Sequence, residues 1–280
     1  MFFHELTTLG PIVMLHNRVV VPVKLRDAVL AHLHSAHAGA GSMLARALRS
    51  VYWPGYKRDI EDTRKNCQSC HEHAPSNKSL PMVGEPDLPS YPFQIICSDM
   101  MEWLGHHYLI IVDKYSNWLI ILKLGKNDSR HLIQAFRLYF STFGVAEVIC
   151  TDGATMYTSS EFKDFCKLWG IHHRISTAYN PAANKRAEVG VKSAKRLIRD
   201  NVGPGGSLDT NQVVQALLSH RNNPDPTTNV SPANIVFGRD IRDIIPQKSY
   251  RPTSTWAELA KLREASFMKH HFLTHATCHN

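Results

Sequence analysis

The sequence has few cysteines and no long apolar run. Its six cysteines among 280 residues comprise one C-x-x-C pair and four scattered residues, which excludes the disulfide framework of small secreted domains. No segment approaches the roughly 18 apolar residues of a membrane span. The N-terminus, MFFHELTTLG, lacks the charged start and apolar run of a signal peptide. We therefore expect a reduced, intracellular protein with no membrane partner.

The excess of positive charge is also small. Lys and Arg outnumber Asp and Glu by 32 to 24, a net charge of +8 with His neutral. Such a balance fits a polyanionic partner, but many other proteins share it. The hydrophobic fraction of 43% is enough for a buried core, and the length allows one ordinary domain and a smaller one.

Five prolines in residues 74–92 (APSNKSLPMVGEPDLPSYP) mark a linker between two domains. Before it, the pattern predicts a hairpin over residues 12–23 that turns at His16, Asn17 and Arg18. Three helices are predicted to follow, over residues 24–37, from Ser42 as its N-cap through 48, and over 56–66.

After the linker the pattern predicts an α/β domain. Apolar runs at 93–100, 108–112 and 118–124 are separated by short turns, as in an antiparallel meander. Helices and strands then alternate: helix 129–143, strand 148–150, helix 160–169, strand 172–175, helix 185–199, loop 203–206 and helix 209–221. This order is typical of the RNase H-like fold, a mixed five-stranded sheet flanked by helices.

Two histidines and two cysteines have the spacing of a zinc site. His34-x-x-His37 is followed, after 29 residues, by Cys67-x-x-Cys70. Zinc prefers four nitrogen or sulfur ligands in a tetrahedron. The histidines, at i and i+3, are expected on one face of a helix, and the cysteines on either side of a tight turn. Because the intervening helices lack a large core, the metal would supply folding energy.

Other histidines compete with this set, since the chain has 17. His32 is a rival to His34, while His71 and His73 are expected to lie outside the site. The alternative to a zinc site is that the two pairs are surface residues whose spacing arises by chance.

Three acidic residues are candidates for a catalytic site. Asp99 ends the first core strand, Asp152 follows the fourth, and Glu188 lies in the long helix, with 52 and 35 residues between them. Carboxylates bind Mg²⁺ or Mn²⁺, and paired divalent ions promote phosphodiester attack. A single Asp after a strand is more often a turn or cap residue, and we assign Asp113 to that structural role.

The helix that carries Glu188 also has basic residues on the same face. At about 100° per residue, Lys192, Lys195 and Arg199 fall within about 40° of Glu188. We interpret them as a ridge that follows a DNA backbone. The alternative is an ordinary i,i+4 surface pair between Glu188 and Lys192.

These motifs resemble a known family. LHSAHAG, VYWPG and DIEDTRKNCQSC resemble the zinc-binding module of gypsy-type LTR retrotransposon integrases. YLIIVDKYSNW, VICTDG, YNPAANKRAEVGVKSAKRL and SPANIVFGRDIR resemble the integrase core of the same family. The resemblance spans most of the chain.

The resemblance implies an integrase that processes the 3′ ends of element DNA and transfers them into target DNA as a homo-oligomer. It implies structural zinc at His34, His37, Cys67 and Cys70, and catalytic Mg²⁺ or Mn²⁺ at Asp99, Asp152 and Glu188. It implies a nuclear protein, or one that is first cytoplasmic and then nuclear, with no small-molecule substrate.

The sequence departs from the family pattern beside Glu188. Ala182 stands where the family has a hydrogen-bonding Gln, and Lys185, which we assign to DNA binding, stands in place of a Gly. An alternative function is therefore a host-captured or decayed integrase that binds DNA or protein without catalysis.

The motifs predict four regions. They are the hairpin and zinc module at 1–73, the linker at 74–92, the catalytic core at 93–245, and a tail at 246–280. We expect the tail to be helical around residues 256–267, with no C-terminal DNA-binding domain.

Overall fold

The computed structural model describes residues 2–7, 10–72, 89–175, 185–225 and 228–246, with the backbone alone for residues 2–7, 10, 11 and 185–189. The chain divides into two compact units, residues 1–246 and 247–280. The second unit, with the predicted helix at 256–267, lies outside the described residues, as does most of the predicted linker.

The N-terminal module combines a small sheet with four helices. Its strands, in spatial order, are β1 Phe2–Thr7, β2 Gly10–Leu15, β3 Arg18–Val20 and β4 Val51–Tyr52. Its helices are α1 Val23–His34, α2 Ala40–Ser50, α3 Tyr56–Lys65 and α4 Gln68–Glu72. The predicted hairpin is confirmed, since β2 and β3 pair antiparallel across His16 and Asn17. β1 was not predicted.

Two predicted helix ends in this module are wrong. α1 stops at His34 rather than at residue 37, because the backbone N–H and the hydroxyl of Ser35 both donate to the carbonyl of His32. That i→i+3 turn closes the helix early. The N-cap of α2 is Gly39, so Ser42 lies inside the helix and does not cap it.

The core domain has the mixed sheet that the sequence predicts. Its strands are β5 Ile95–Trp103, β6 His106–Asp113, β7 Leu119–Leu124, β8 Val148–Thr151 and β9 His172–Ile175. The spatial order is β7-β6-β5-β8-β9. β5, β6 and β7 pair antiparallel, whereas β8 pairs parallel with both β5 and β9.

Helices cover both faces of this sheet. They are α5 Ser129–Phe143, α6 Thr155–Thr158, α7 Ser160–Leu168, α8 Lys185–Asn201, α9 Asn211–Asn222 and α10 Pro232–Phe237. Along β6, Leu109 packs toward α5 and α7, while Tyr108 and Ile110 pack toward α8 and α9. This alternation is the period-two pattern of a strand covered on both faces. α10 is a short helix that the sequence pattern did not predict.

The module and the core pack against each other. Ile245, at the end of the core, is buried in the hydrophobic cluster of the module. Arg46 of α2 forms a buried ion pair with Asp243 and donates to Ser219 Oγ of α9 at 2.8 Å. Among the described residues, no helix is long and apolar enough to cross a membrane.

Candidate metal centres and active site

The predicted zinc ligands lie together in the N-terminal module. One ligand atom from each of His34, His37, Cys67 and Cys70 lies within 4.8 Å of all the others. Cys67 Sγ is 3.4 Å from His37 Nδ1, and Cys70 Sγ is 3.5 Å from both His34 Nε2 and His37 Nδ1. Ordinary Zn–S and Zn–N bonds in a tetrahedron put sulfur and nitrogen about 3.6 Å apart. The cluster therefore fits one zinc ion.

The sequence predicted that both histidines lie on one face of a helix, and this prediction is wrong. His34 is the last residue of α1, and His37 lies beyond it with a left-handed backbone, φ 50°. The two rings meet edge to face with centroids 4.9 Å apart. Cys67 directly precedes α4 and Cys70 lies within it, so a short helix positions the thiols.

The protonation chemistry of the cluster suits a metal. Burial, together with the charge of His37, lowers the pKa of His34 to about 4, so its ring is neutral near pH 7 and can offer a lone pair. Burial raises the pKa of Cys70 to about 11. Because zinc binds the thiolate, metal binding releases the proton of this buried thiol.

The rival histidines lie outside the cluster. His32 is buried, and the charges that act on its pKa are those of Arg46 and Asp243 rather than the cysteines. His71 Nε2 contacts the carbonyl of Lys65, and His73 lies outside the described residues.

Asp99 and Asp152 lie at equivalent positions of two neighbouring parallel strands. The register of β5 with β8 runs through Ile95↔Val148 to Cys97↔Cys150, and each Asp lies two residues beyond that last pair. β5 continues past Asp99 to Trp103 because it pairs with β6. The prediction that Asp99 ends its strand is therefore wrong. Asp99 lies within β5, at the level where the parallel strand β8 ends.

A buried hydroxyl pair lies near the two acids in the chain and in space. Ser98 Oγ and Tyr157 Oη are 2.7 Å apart. Burial raises the pKa of Tyr157, and the charges of Asp99 and Asp152 raise it further, so both carboxylates act on the same hydroxyl. Asp152 is exposed and accepts from the N–H of Ala154 at 3.1 Å. Sequence reasoning missed Ser98 and Tyr157, because neither type stands out in an apolar strand or a short helix.

α8 contacts the first of these two acids. Lys195 Nζ lies 2.6 Å from Asp99 Oδ2. Glu188 is on the same helix seven residues earlier, a net rotation of about 20°, and its side chain lies outside what the structure describes. A Cβ on Gly190 would come within 2.7 Å of Val112 Cγ1. Gly190, which the sequence reasoning also missed, therefore allows α8 to lie close to the sheet.

The predicted basic ridge divides into residues with different surroundings. Lys192 is exposed, and so is Arg199, whose guanidinium lies 5.7 Å from the ring centre of Trp103. Lys195 contacts Asp99 instead, and the side chain of Lys185 lies outside the described residues.

Asp113 has the structural role that the sequence suggested. It is 1% exposed and accepts from the backbone N–H groups of Phe93 and Ser116, each at 2.8 Å. Burial raises its pKa, although these hydrogen bonds oppose the shift. It closes the turn between β6 and β7 and takes no part in the acid pair.

Two family models match the chain. The integrase zinc-binding domain matches residues 21–76, and the integrase core domain matches residues 89–181. These segments contain the four predicted zinc ligands and both described acids.

The chain also resembles parts of longer proteins. It is 33% identical to an uncharacterized protein of Caenorhabditis elegans over 92% of this chain and 20% of that protein. It is 25% identical to the Pro-Pol polyprotein of Simian foamy virus type 3, over 89% and 22%. It is 24% identical to the transposon Tf2-3 polyprotein of Schizosaccharomyces pombe, over 71% and 16%. The chain thus spans about a fifth of the length of these relatives.

The class of the protein follows from its two domains, a zinc-binding module joined to an RNase H-like core with paired carboxylates. The chain belongs to the integrases of retroviruses and LTR retrotransposons.

Proposed function

We propose that the chain is a polynucleotidyl transferase that uses Mg²⁺ or Mn²⁺ to process the 3′ ends of element DNA and join them to target DNA. The observation that supports this proposal is the register of β5 with β8, which puts Asp99 and Asp152 at equivalent positions just beyond the last pair. Asp99 also contacts Lys195 of the helix that bears Glu188.

The chemistry requires hard, negatively charged ligands at one place. In strand transfer, a 3′ hydroxyl oxygen forms a bond to phosphorus, the bond from phosphorus to the leaving oxygen breaks, and that oxygen gains a proton. Divalent ions held by the carboxylates would activate the attacking hydroxyl and stabilise the leaving oxygen. Asp99, Asp152 and Glu188 supply the oxygen ligands such ions prefer.

A strand-transfer assay on short duplex ends tests the proposal. With Mg²⁺ or Mn²⁺, we expect product from the wild-type chain and a loss of roughly 10³-fold in Asp99→Asn, Asp152→Asn and Glu188→Gln, because removing a ligand costs several kcal/mol of transition-state stabilisation. Asp164→Asn makes the same chemical change at an exposed site on α7 and is expected to retain activity. A wild-type chain that folds and binds metal but joins no DNA contradicts the proposal.

We propose further that Lys185, Lys192, Lys195 and Arg199 follow the DNA backbone. The exposure of Lys192 and Arg199 on α8 and the net charge of +8 support this. Lys192→Gln isolates the effect, because Lys195 also contacts Asp99.

We expect Lys192→Gln to weaken binding to all sequences about equally and to lower the slope of log affinity against log salt by about one unit. Lys167→Gln, at an exposed position on α7, is the matched control. An unchanged slope would make Lys192 an ordinary surface residue.

Action on DNA as a homo-oligomer in the nucleus completes the proposal. Membership in the integrase family supports it. Sedimentation of the chain with and without duplex ends, together with microscopy of the tagged chain in cells, tests these two points.

A further inference from the structure

His37 links the zinc cluster to the core domain. Its Nδ1 faces the sulfurs of Cys67 and Cys70, and its Nε2 lies 3.0 Å from Asp200 Oδ2. An imidazole that ligates through Nδ1 carries its proton on Nε2. That N–H points at a carboxylate, the partner that commonly orients a ligating histidine.

Asp200 also contacts the cysteine side of the cluster. Ser69, between the two cysteines, donates from Oγ to Asp200 Oδ2 at 2.6 Å. One carboxylate oxygen therefore contacts both a histidine ligand and the short helix α4, which contains Cys70 and directly follows Cys67. One turn earlier on α8, Arg196 Nη1 donates to the carbonyl of His37 at 3.4 Å.

Both residues have positions that a tertiary contact would help to hold. The backbone of His37 is left-handed, a conformation that is uncommon for residues other than Gly although His adopts it more readily than most. Asp200 lies in the last turn of α8, where the helix dipole disfavours a negative charge. The contact between His37 and Asp200 helps to hold both residues in these positions.

We propose that Asp200 is a positioning residue of the zinc site, which orients His37 and couples zinc binding to the C-terminal half of α8. Glu188 and Lys195 belong to the same helix. Lys195 contacts Asp99. Zinc binding thereby stabilises the helix that completes the acid site. The proposal holds whichever reaction the core performs.

Zinc affinity of the full chain, measured by competition with a chelator, tests the proposal. We expect Asp200→Ala to weaken zinc binding by about 10- to 100-fold, the usual effect of losing such a partner. Asp200→Asn, which keeps an acceptor oxygen of the same size, is expected to recover part of the loss. Asp164→Asn is the control. Binding within twofold of wild type in Asp200→Ala overturns the proposal.

Two further readouts separate orientation of the ligand from general stability. With Co²⁺ in place of zinc, Asp200→Ala is expected to change the visible d–d absorption, because the His37 ring is no longer held, whereas Asp164→Asn leaves it unchanged. Zinc is expected to slow amide hydrogen exchange in residues 195–201 of the wild-type chain but not of Asp200→Ala. An unchanged spectrum, or equal zinc-dependent protection in both chains, contradicts the proposal.

A milder variant keeps the test valid if Asp200→Ala does not fold. Ser69→Ala removes one hydrogen bond to Asp200 and leaves His37 in contact with it. We expect a smaller loss of zinc affinity than in Asp200→Ala, because the contact between Asp200 and His37 remains. Wild-type affinity in this variant would exclude the link through Ser69.

Discussion

The zinc cluster and the acid pair differ in how far their side chains are buried and how closely they are arranged. Cys70 and His34 are 1% and 8% exposed, and their ligand atoms already lie at the spacing of a tetrahedron. Asp152 is exposed, and Asp99 shares its surroundings with the ammonium of Lys195. A closed set of four protein ligands suits a structural ion, whereas open carboxylates leave room for water and substrate.

The two sites also differ in how much they depend on the rest of the fold. The zinc ligands come from a short stretch of chain with a small hydrophobic core, so the metal carries much of the stability of the module. The acids lie on a sheet with hydrophobic clusters on both faces, so we expect the sheet to stay folded without an ion. Removing metal should therefore unfold one region and only inactivate the other.

The largest effect is expected from Cys67→Ser. Loss of a ligand should abolish zinc binding and unfold residues 25–72, because structural zinc contributes roughly 10–16 kcal/mol in small zinc modules. Zinc content and amide hydrogen exchange measure both changes. Strands β5 to β9 should remain protected.

Cys166→Ala is the control for this variant, since Cys166 is buried in the core far from the cluster in sequence. It should keep its zinc. If Cys67→Ser retained both its zinc and the protection of the module from exchange, the module would not depend on the metal for its folding.

The second-largest effect is expected at the interface between the N-terminal module and the core domain. The side chains of Arg46 and Asp243 are 3% and 0% exposed. Removing one of them leaves the other as a buried charge without its partner. We expect Arg46→Ala to lower the free energy of unfolding by about 3–5 kcal/mol. Arg58→Ala, which breaks an exposed pair with Asp62, should cost less than about 1 kcal/mol. Equal losses in urea denaturation would show that burial of the pair does not matter.

The third prediction concerns the packing of α8 on the sheet. A Cβ at position 190 would come within 2.7 Å of Val112 Cγ1, so Gly190→Ala should destabilise the core by about 1–3 kcal/mol. It should also displace the helix that carries Glu188. Combining it with Val112→Ala should recover part of the loss. Strict additivity of the two changes in a denaturation cycle would exclude this contact.

The smallest effect is expected from Lys195→Gln. The ammonium competes with a divalent ion for Asp99, but the side chains of Lys195 and Asp99 are 32% and 26% exposed, so the pair contributes at most about 1 kcal/mol. Mn²⁺ should therefore bind up to about fivefold more tightly. Weaker Mn²⁺ binding in this variant would mean that Lys195 supports the metal site.

Much of the core could be predicted because local signals agree with the tertiary fold. α5 spans the predicted residues, with Asp128 accepting from the N–H of His131 at its start and Gly144 at its end. β9 likewise matches its prediction. α10 was missed because six residues are too few to establish a helical period.

The geometry of the sites was less predictable than their composition. Spacing alone pointed to the four zinc ligands, but it did not reveal the early end of α1 at Ser35 or the left-handed backbone of His37, because neither feature follows a periodic sequence pattern. The ion pair between Lys195 and Asp99 brings together two residues whose relation appears only when α8 packs on β5. Helical periodicity places Lys195 on the same face of α8 as Glu188, but it does not predict that Lys195 pairs with Asp99.

The separation of the two metal sites is tested most directly by measuring both metals on one preparation of Asp152→Asn. The full chain, loaded with zinc, is titrated with Mn²⁺ and followed by electron paramagnetic resonance, while zinc is quantified in the same sample. We expect one zinc per chain in both wild type and variant, with Mn²⁺ binding lost in the variant at concentrations that saturate the wild type. Equal Mn²⁺ binding by the two chains, or loss of zinc together with Mn²⁺, would contradict this account.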